Sequence, residues 1–361
     1  MRLVADAGLW STVRQSAHSQ LTAVLEVSGA VLSWTVDDPS AAAQITFTDP
    51  ARAEWLWRVL GEPGHSALAA ALEGRTPGEA LELTGVEVRP GSLDRLRRLA
   101  LGHWLRRWWP VSQRDGMAAL DGALLDAEIA VLTAAVEDFF SDDTFDSDVA
   151  GLLRPHAAAL SAHLQAGDPR VIELVRSCAD LAEDVGVAFA EAEGVPQRRD
   201  DYALAAGADA GLRSSGAIAT GSDSVHWAAV PPGIFDAAEN TVDWHVESEE
   251  GFAKAVVRVE LSGSGLAAGI SVRLRSADVA GEGVLDADGV ATFPLVDGEQ
   301  RPVTESAAWD HDWRSTAVVI GAEVEEQAET RERIRDFARG RLRAPAGDAF
   351  LAEVLAAESD Y

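Results

Sequence analysis

The sequence predicts an α+β multidomain protein: an N-terminal small α+β domain, a central helical bundle and a C-terminal antiparallel β-sandwich with terminal helices. Three patterns carry this. Apolar residues alternate along residues 21–48 and again from Val225, the signature of half-buried strands. Between about 115 and 193 they recur every three to four residues, the spacing of one helix face. The tail 324–345 is highly charged but keeps Ile334, Phe337 and Leu342 on one stripe. The chain divides accordingly into residues 1–114 (an α+β domain ending in a Trp/Arg helix), 115–195 (helical), 196–224 (linker), 225–321 (β-sandwich) and 322–361 (terminal helices).

In the first domain, LTAVLEV, AVLSWTV and AQITFT read as a three-stranded antiparallel meander, with Ser28-Gly29 and Asp37-Asp38-Pro39-Ser40 at its turns. Asp49 and Pro50 open a helix over 49–60, since proline suits a first helical turn whose amides lack partners anyway. Trp55 and Trp57 fall on different faces of that helix, so one is exposed or covered by a partner. A short helix follows at 66–73, and EALELTGVEVRP reads as a strand or strand pair. Residues 92–110, SLDRLRRLALGHWLRRWWP, form an amphipathic helix with Ser92 as N-cap; Leu93, Leu96, Ala100, Trp104 and Trp108 make its apolar stripe, and Pro110 ends it.

Three helices are expected next: 118–140, then 149–165 beyond the acidic break SDDTFDSD, then one from Asp168-Pro169 to about 193 with Cys178 on its apolar face. Residues 196–224, rich in Gly, Ala, Ser and Asp, read as a linker or long surface loop. Beyond them VHWAAV, TVDWHVES, FAKAVVRVEL, GISVRLRS, GEGVLDAD, GVATFPLV and STAVVIG are short strands with turn signals between them, the spacing of a sandwich cored by Trp227, Trp244 and Phe252. A last short helix is expected at 348–357.

Composition narrows the class of function. The chain has 361 residues, enough for two or three domains, and a net charge of −29. Such acidity repels nucleic acid and anionic lipid, so neither is expected as a partner. No apolar run is long enough to span a membrane, and the N-terminus lacks the charged-then-apolar order of a signal peptide. The single cysteine, Cys178, excludes an intrachain disulfide framework and a cysteine-based zinc site, and points to a reducing, cytoplasmic location. Lys254 is the only lysine; arginine and alanine take over, as in a high-GC, actinobacterial genome.

Two residue sets could carry function. Trp57, Trp104, Arg106, Arg107, Trp108 and Trp109 combine the residue types that dominate protein-interface energetics. The same cluster could stack on single-stranded nucleic acid, sit at a lipid surface, or pack as core with arginine stems around the rings. His226, His245 and His311, with Asp310 or Asp312, have the chemistry of a metal or hydrolytic centre if the fold brings them together. Asp286-Ala287-Asp288-Gly289 lacks the distal glutamate of a calcium loop and reads as a hairpin turn. Gly263, Gly265 and Gly269 precede no helix, so they read as a loop rather than a phosphate cradle. The acidic run Asp142, Asp143, Asp146 and Asp148 reads as a solvated loop, and pairs such as Asp126/Glu128 as exposed helix faces. Phosphate-loop, nucleophile-elbow, zincin and kinase motifs are absent.

The stretches HWLRRWWPVSQRDGMAALDGALLDAEIAVLT and VPPGIFDAAENTVDW resemble accessory proteins of actinobacteria encoded beside MoxR-type ATPases and von Willebrand A domain proteins, in systems of biological conflict such as antiphage defence. This resemblance implies a non-catalytic partner in an ATP-driven assembly and assigns no catalytic residue. The expectation is a binding, scaffold or adaptor component without a cofactor. A metal-dependent or hydrolytic enzyme and a homo-oligomeric structural subunit are the alternatives.

Overall fold

The computed structural model describes residues 1–13, 19–137, 139–140, 148–164, 167–188, 216–263 and 265–359. Asp142, Asp143 and Asp146 of the acidic run, the helix end expected at 189–193 and the linker as far as residue 215 lie outside the described residues. The fold is mixed α and β, and the three sheets among the described residues are antiparallel throughout. Two compact units form, each discontinuous in the chain. The first comprises Met1–Trp108, Leu120–Gly194 and Thr330–Tyr361; the second comprises Trp109–Ala119 and Val195–Glu329.

The first unit opens with a hairpin, β1 (Arg2–Asp6) and β2 (Leu9–Ser11). Its turn is Ala7-Gly8, both with positive φ, the backbone that matches the twist of paired strands. The meander follows as expected: β3 (Thr22–Val27), β4 (Ala30–Thr35) and β5 (Gln44–Phe47). Leu25, Leu32, Trp34 and Ile45 are buried while Val24 and Glu26 face solvent, so the alternation in the sequence is the sheet's two faces. β6 (Leu81–Glu82) completes the order β3-β4-β5-β2-β1-β6. EALELTGVEVRP contributes only those two strand residues.

Asp49 does cap a turn, accepting from Ala51 N, but the turn is a short 3-10 segment, Pro50–Arg52. The helix α1 begins later (Leu56–Leu72) and is kinked at Gly61, whose φ of 76° no other residue type adopts at low cost. The two helices expected at 49–60 and 66–73 are therefore the two arms of α1. α2 (Asp94–Trp108) and α3 (Gly122–Glu137) lie within the predicted segments. Ser92 does not cap α2; its hydroxyl donates to the Arg89 carbonyl (2.7 Å). The helix expected at 149–165 is broken into α4 (Val149–Leu153), a 3-10 turn Arg154–His156 and α5 (Ala157–His163), because Pro155 cannot continue an α-helical ladder. α6 (Pro169–Asp184) starts where expected, with Asp168 accepting from Arg170 N (2.8 Å).

The second unit holds β7 (Ala219–Asp223), β8 (Val242–Glu249), β9 (Phe252–Val259), β10 (Ser271–Ser276), β11 (Val279–Val284), β12 (Val290–Pro294), the short helix α7 (Glu305–Asp310) and β13 (Ala317–Ile320). They form a four-stranded sheet, β12-β9-β8-β7, and a three-stranded sheet, β11-β10-β13. Trp244, Val257 and Phe293 of the first sheet share one buried cluster with Val272, Leu274 and Ile320 of the second. Ala280 and Val296 exchange backbone hydrogen bonds of 2.9 and 2.8 Å beside β11. Asp286 and Gly289 make a turn, but it carries the chain from one sheet to the other instead of closing a hairpin.

Three expectations change here. VHWAAV is not a strand; Trp227–Ala229 is a 3-10 turn held by the Glu326 carboxylate, which accepts from Trp227 N (3.2 Å) and Ala228 N (2.8 Å). A strand, β7, occupies part of the segment read as linker. Phe252 is exposed and does not core the sheets, whereas Trp244 does.

The 109–119 segment is fastened to the second unit by Asp236. This buried carboxylate accepts from Ser112 Oγ (2.6 Å), Gln113 N (2.7 Å) and Ala238 N (2.9 Å). Arg114 adds hydrogen bonds to the carbonyls of Glu239 and Asn240. The terminal helices α8 (Ala328–Arg343) and α9 (Leu351–Ser359) serve the first unit, not the β-domain to which the sequence attaches them. Phe337 on α8 meets the Trp104 ring edge-on at 5.3 Å, and α9 packs on α3.

Candidate functional site

The Trp/Arg helix is split in its fate. Trp104 is 3% exposed and its indole N–H donates to the Gln20 carbonyl (2.7 Å). It is core, so as an interface candidate it is corrected by its burial. Arg106 points back across α2 to Asp126 on α3, with 3.0 Å between Nε and the carboxylate. Arg107 lies over the half-buried Trp108 ring, 4.3 Å from its centroid. Trp109 begins the second unit and donates its indole N–H to the Ala118 carbonyl (2.8 Å), which closes the 109–119 segment on itself.

Asp126 and Glu128 are the residues that the sequence reading placed wrongly. α3 is covered by α2, α4, α5, α6 and α9, and this cover takes in the positions of Asp126 and Glu128. Asp126 is 3% exposed and sits between Arg106 and His156, whose Nε2 donates to it (3.0 Å). His103 lies nearby; burial, aided by the Arg106 charge and opposed by Asp126, holds its imidazole below the ordinary value of 6.5. Glu128 pairs with Arg98 and accepts from Leu351 N (2.7 Å), capping the first turn of α9. Burial pushes its carboxyl up, against the pull of the Leu351 amide and Arg98. Arg341 closes the network with a two-pronged pair to the buried Glu353 and a bond to Asp348 (2.9 Å). These charges bind helices to one another. Cys178, beside α3, donates to the Ala127 carbonyl, and burial pushes its thiol up to about 12, which leaves it inert as a nucleophile.

Trp57 presents a different picture. Trp55 is core, with its indole N–H donated to the Ser28 carbonyl (2.8 Å), and the next turn of chain puts Trp57 outside, 45% exposed. The exposed Arg58 guanidinium stands 4.7 Å from the Trp57 ring centre and 5.9 Å from that of Phe139. Phe139 in turn meets Trp55 and Phe140. A surface stack of aromatic, cation and aromatic is thus anchored on rigid core rings. Only the exposure of one tryptophan was legible in the sequence; Phe139 comes from a segment some eighty residues away, about the order of separation that pattern reading does not resolve.

The histidine and aspartate set is not brought together. His226 Nδ1 donates to the Val324 carbonyl (2.9 Å). His245, buried on β8, faces Glu247 at 3.5 Å and leaves Nδ1 without a hydrogen-bond partner. His311 hydrogen-bonds Ser276 Oγ (2.9 Å) and packs edge-on to Trp313. Asp310 is exposed at the end of α7. Asp312 caps a 3-10 turn and pairs with Arg314 (2.7 Å), whose hydrogen bonds hold its carboxyl down at about 2. Among the described residues no group of three or more His, Cys, Asp or Glu side chains is placed to hold a metal ion, so the metal-centre alternative is corrected by geometry. No helix among them is long and apolar enough to cross a membrane. No family model, no curated protein and no solved structure matches the chain.

Proposed function

We propose that the chain is a non-catalytic binding component of a larger cytosolic assembly, an adaptor that docks a protein partner on the Trp57–Arg58–Phe139 face. The observation that carries this is the exposed Trp57 ring with an arginine stacked on it and core aromatics behind it. Tryptophan and arginine dominate interface hot spots because a rigid ring buries much area at little entropic cost and a guanidinium stacks and hydrogen-bonds at once. On this reading the β-unit is a β-sandwich that presents loops to further subunits. The partner suggested by the resemblance is a MoxR-type ATPase or a von Willebrand A domain protein.

The test is a tagged pull-down from the native host, read by mass spectrometry, with light scattering on the eluate. A defined heteromeric complex, retained by wild type and lost in Trp57→Ala and Arg58→Ala, is the expected result; removing one hot-spot side chain costs about 2 kcal/mol or more of binding. A monomer that captures nothing sinks the reading. Self-association of the pure chain, weakened by the same substitutions, replaces it with the homo-oligomer.

A further inference from the structure

Arg58 is exposed, and its guanidinium lies 4.7 Å from the Trp57 ring centre and 5.9 Å from that of Phe139. Phe139 is braced in turn by Trp55, which is 1% exposed. Cation–π attraction to the two rings is what holds this side chain. Among the described residues its N–H donors make no hydrogen bond and no ion pair. The nearest acids along the chain leave it uncompensated. Glu54 precedes the first turn of α1, Glu62 lies beyond the kink at Gly61, and neither pairs with it. By contrast the exposed Arg170 binds Asp168 and Glu358, and the exposed Arg301 binds Asp297 and Glu299.

We infer that this face takes a short peptide segment of a protein partner in which a single carboxylate stands beside an apolar side chain; this rests on the docking reading above. Arg58 chelates the carboxylate, and the apolar group lies against Trp57.

Three arguments support this chemistry. A guanidinium offers its donors in a flat fork that matches the two oxygens of a carboxylate. Stacking between rings fixes Arg58 before binding, so little rotamer freedom is lost when the pair forms. Trp57, 45% exposed, supplies apolar area beside it, and covering that area shields the ion pair from water. The charge of the chain sets the number of carboxylates. At a net −29 the protein repels a polyacidic tract, whereas one carboxylate in contact with Arg58 gains more at short range than it loses at long range. The stack holds one guanidinium, not the arginine cluster that recognises phosphoryl groups.

The experiment immobilises the full-length protein and selects a random linear-peptide library displayed on phage. Wild type, Trp57→Ala and Arg58→Ala are run in parallel. Both side chains are exposed, and matching melting temperatures verify that the variants fold. Peptides enriched on wild type are expected to share one Asp or Glu close in sequence to a Trp, Phe or Leu, and to be lost on both variants. One such peptide is then synthesised and titrated by fluorescence anisotropy. Replacing its acid by the matching amide should weaken binding about tenfold or more, and Arg58→Lys, which lacks the fork, should also weaken it. Arg58→Glu should abolish binding, and an arginine in place of the peptide's acid should restore it. Trp57-dependent peptides that carry no carboxylate, affinity kept on Arg58→Ala, or tighter binding of a phosphoserine in place of the acid overturns this inference and leaves the docking face standing. Absence of any Trp57-dependent peptide overturns it as well, and the docking face itself is then judged by whether Trp57→Ala loses the complex in the pull-down.

Discussion

At the scale of the residue, the protein places charge where its own helices need it. Asp126, Glu128, Arg341 and Glu353 are buried or nearly so, and each is matched by a partner on another element. Removing one partner from such a pair costs more than the pair contributes, because the other charge is left stranded. His103 translates this burial into a pH dependence. Its folded-state value is depressed, so the unfolded chain takes up the proton first. Stability from this group is full above the ordinary histidine value of 6.5 and is lost as pH falls through and below it. Urea melts of wild type between about pH 7.5 and 5.5 should show a falling midpoint, and His103→Gln should flatten that slope. An unchanged slope in the variant would assign the acid sensitivity to other groups.

At the scale of the element, two glycines on packed helices have opposite meanings. A Cβ on Gly102 of α2 would meet Ile129 and the Phe350 ring at 2.8 Å, so this glycine is what lets α3 and the start of α9 approach α2. Gly102→Ala should destabilise by about 1–3 kcal/mol through overpacking. Gly340→Ala, in open space, should stabilise by about 0.5–1 kcal/mol. Chemical denaturation of the two variants side by side checks both signs, and a stabilising Gly102→Ala would refute the close approach. Element ends follow the same local logic. Gly61 kinks α1 and Pro155 splits the segment expected at 149–165, which is why α4 and α5 are shorter than their apolar periodicity alone implies.

At the scale of the whole molecule, the chain passes repeatedly between its two units, and the 109–119 segment belongs to the second while its flanking helices belong to the first. One buried carboxylate, Asp236, holds that segment in place by collecting donors from both sides of it. Asp236→Ala should leave a hydroxyl and several amides unpaired and cost about 3 kcal/mol. It should also speed tryptic cleavage after Arg114, measured by limited proteolysis, relative to wild type. Equal cleavage rates would show that the segment is held by other contacts.

What could be read from the sequence was local and periodic. The meander at 21–48, α2, α3 and the start of α6 follow from alternation, amphipathic spacing and caps such as Asp168, all of which act within a few residues. The turn Ala7-Gly8 escaped notice because alanine is not a left-handed turn residue by habit; pairing of β1 with β2 imposes that conformation on it. β7, poor in apolar residues, is a strand only because β8 offers it a ladder. The candidate sites divide the same way. An exposed tryptophan near residue 57 was legible from its offset to Trp55, but the Phe139 that completes the stack was not. Asp126 and Glu128 looked like a solvated face because acidic residues on a helix usually are; α3 buries them because other helices cover it on several sides. The sequence by itself determined the meander, α2, α3 and the start of α6, since backbone sterics and side-chain period act over neighbours. Tertiary structure alone decided which charges are buried, which histidines stay apart and which unit each segment joins, because those depend on contacts between residues far apart in the chain.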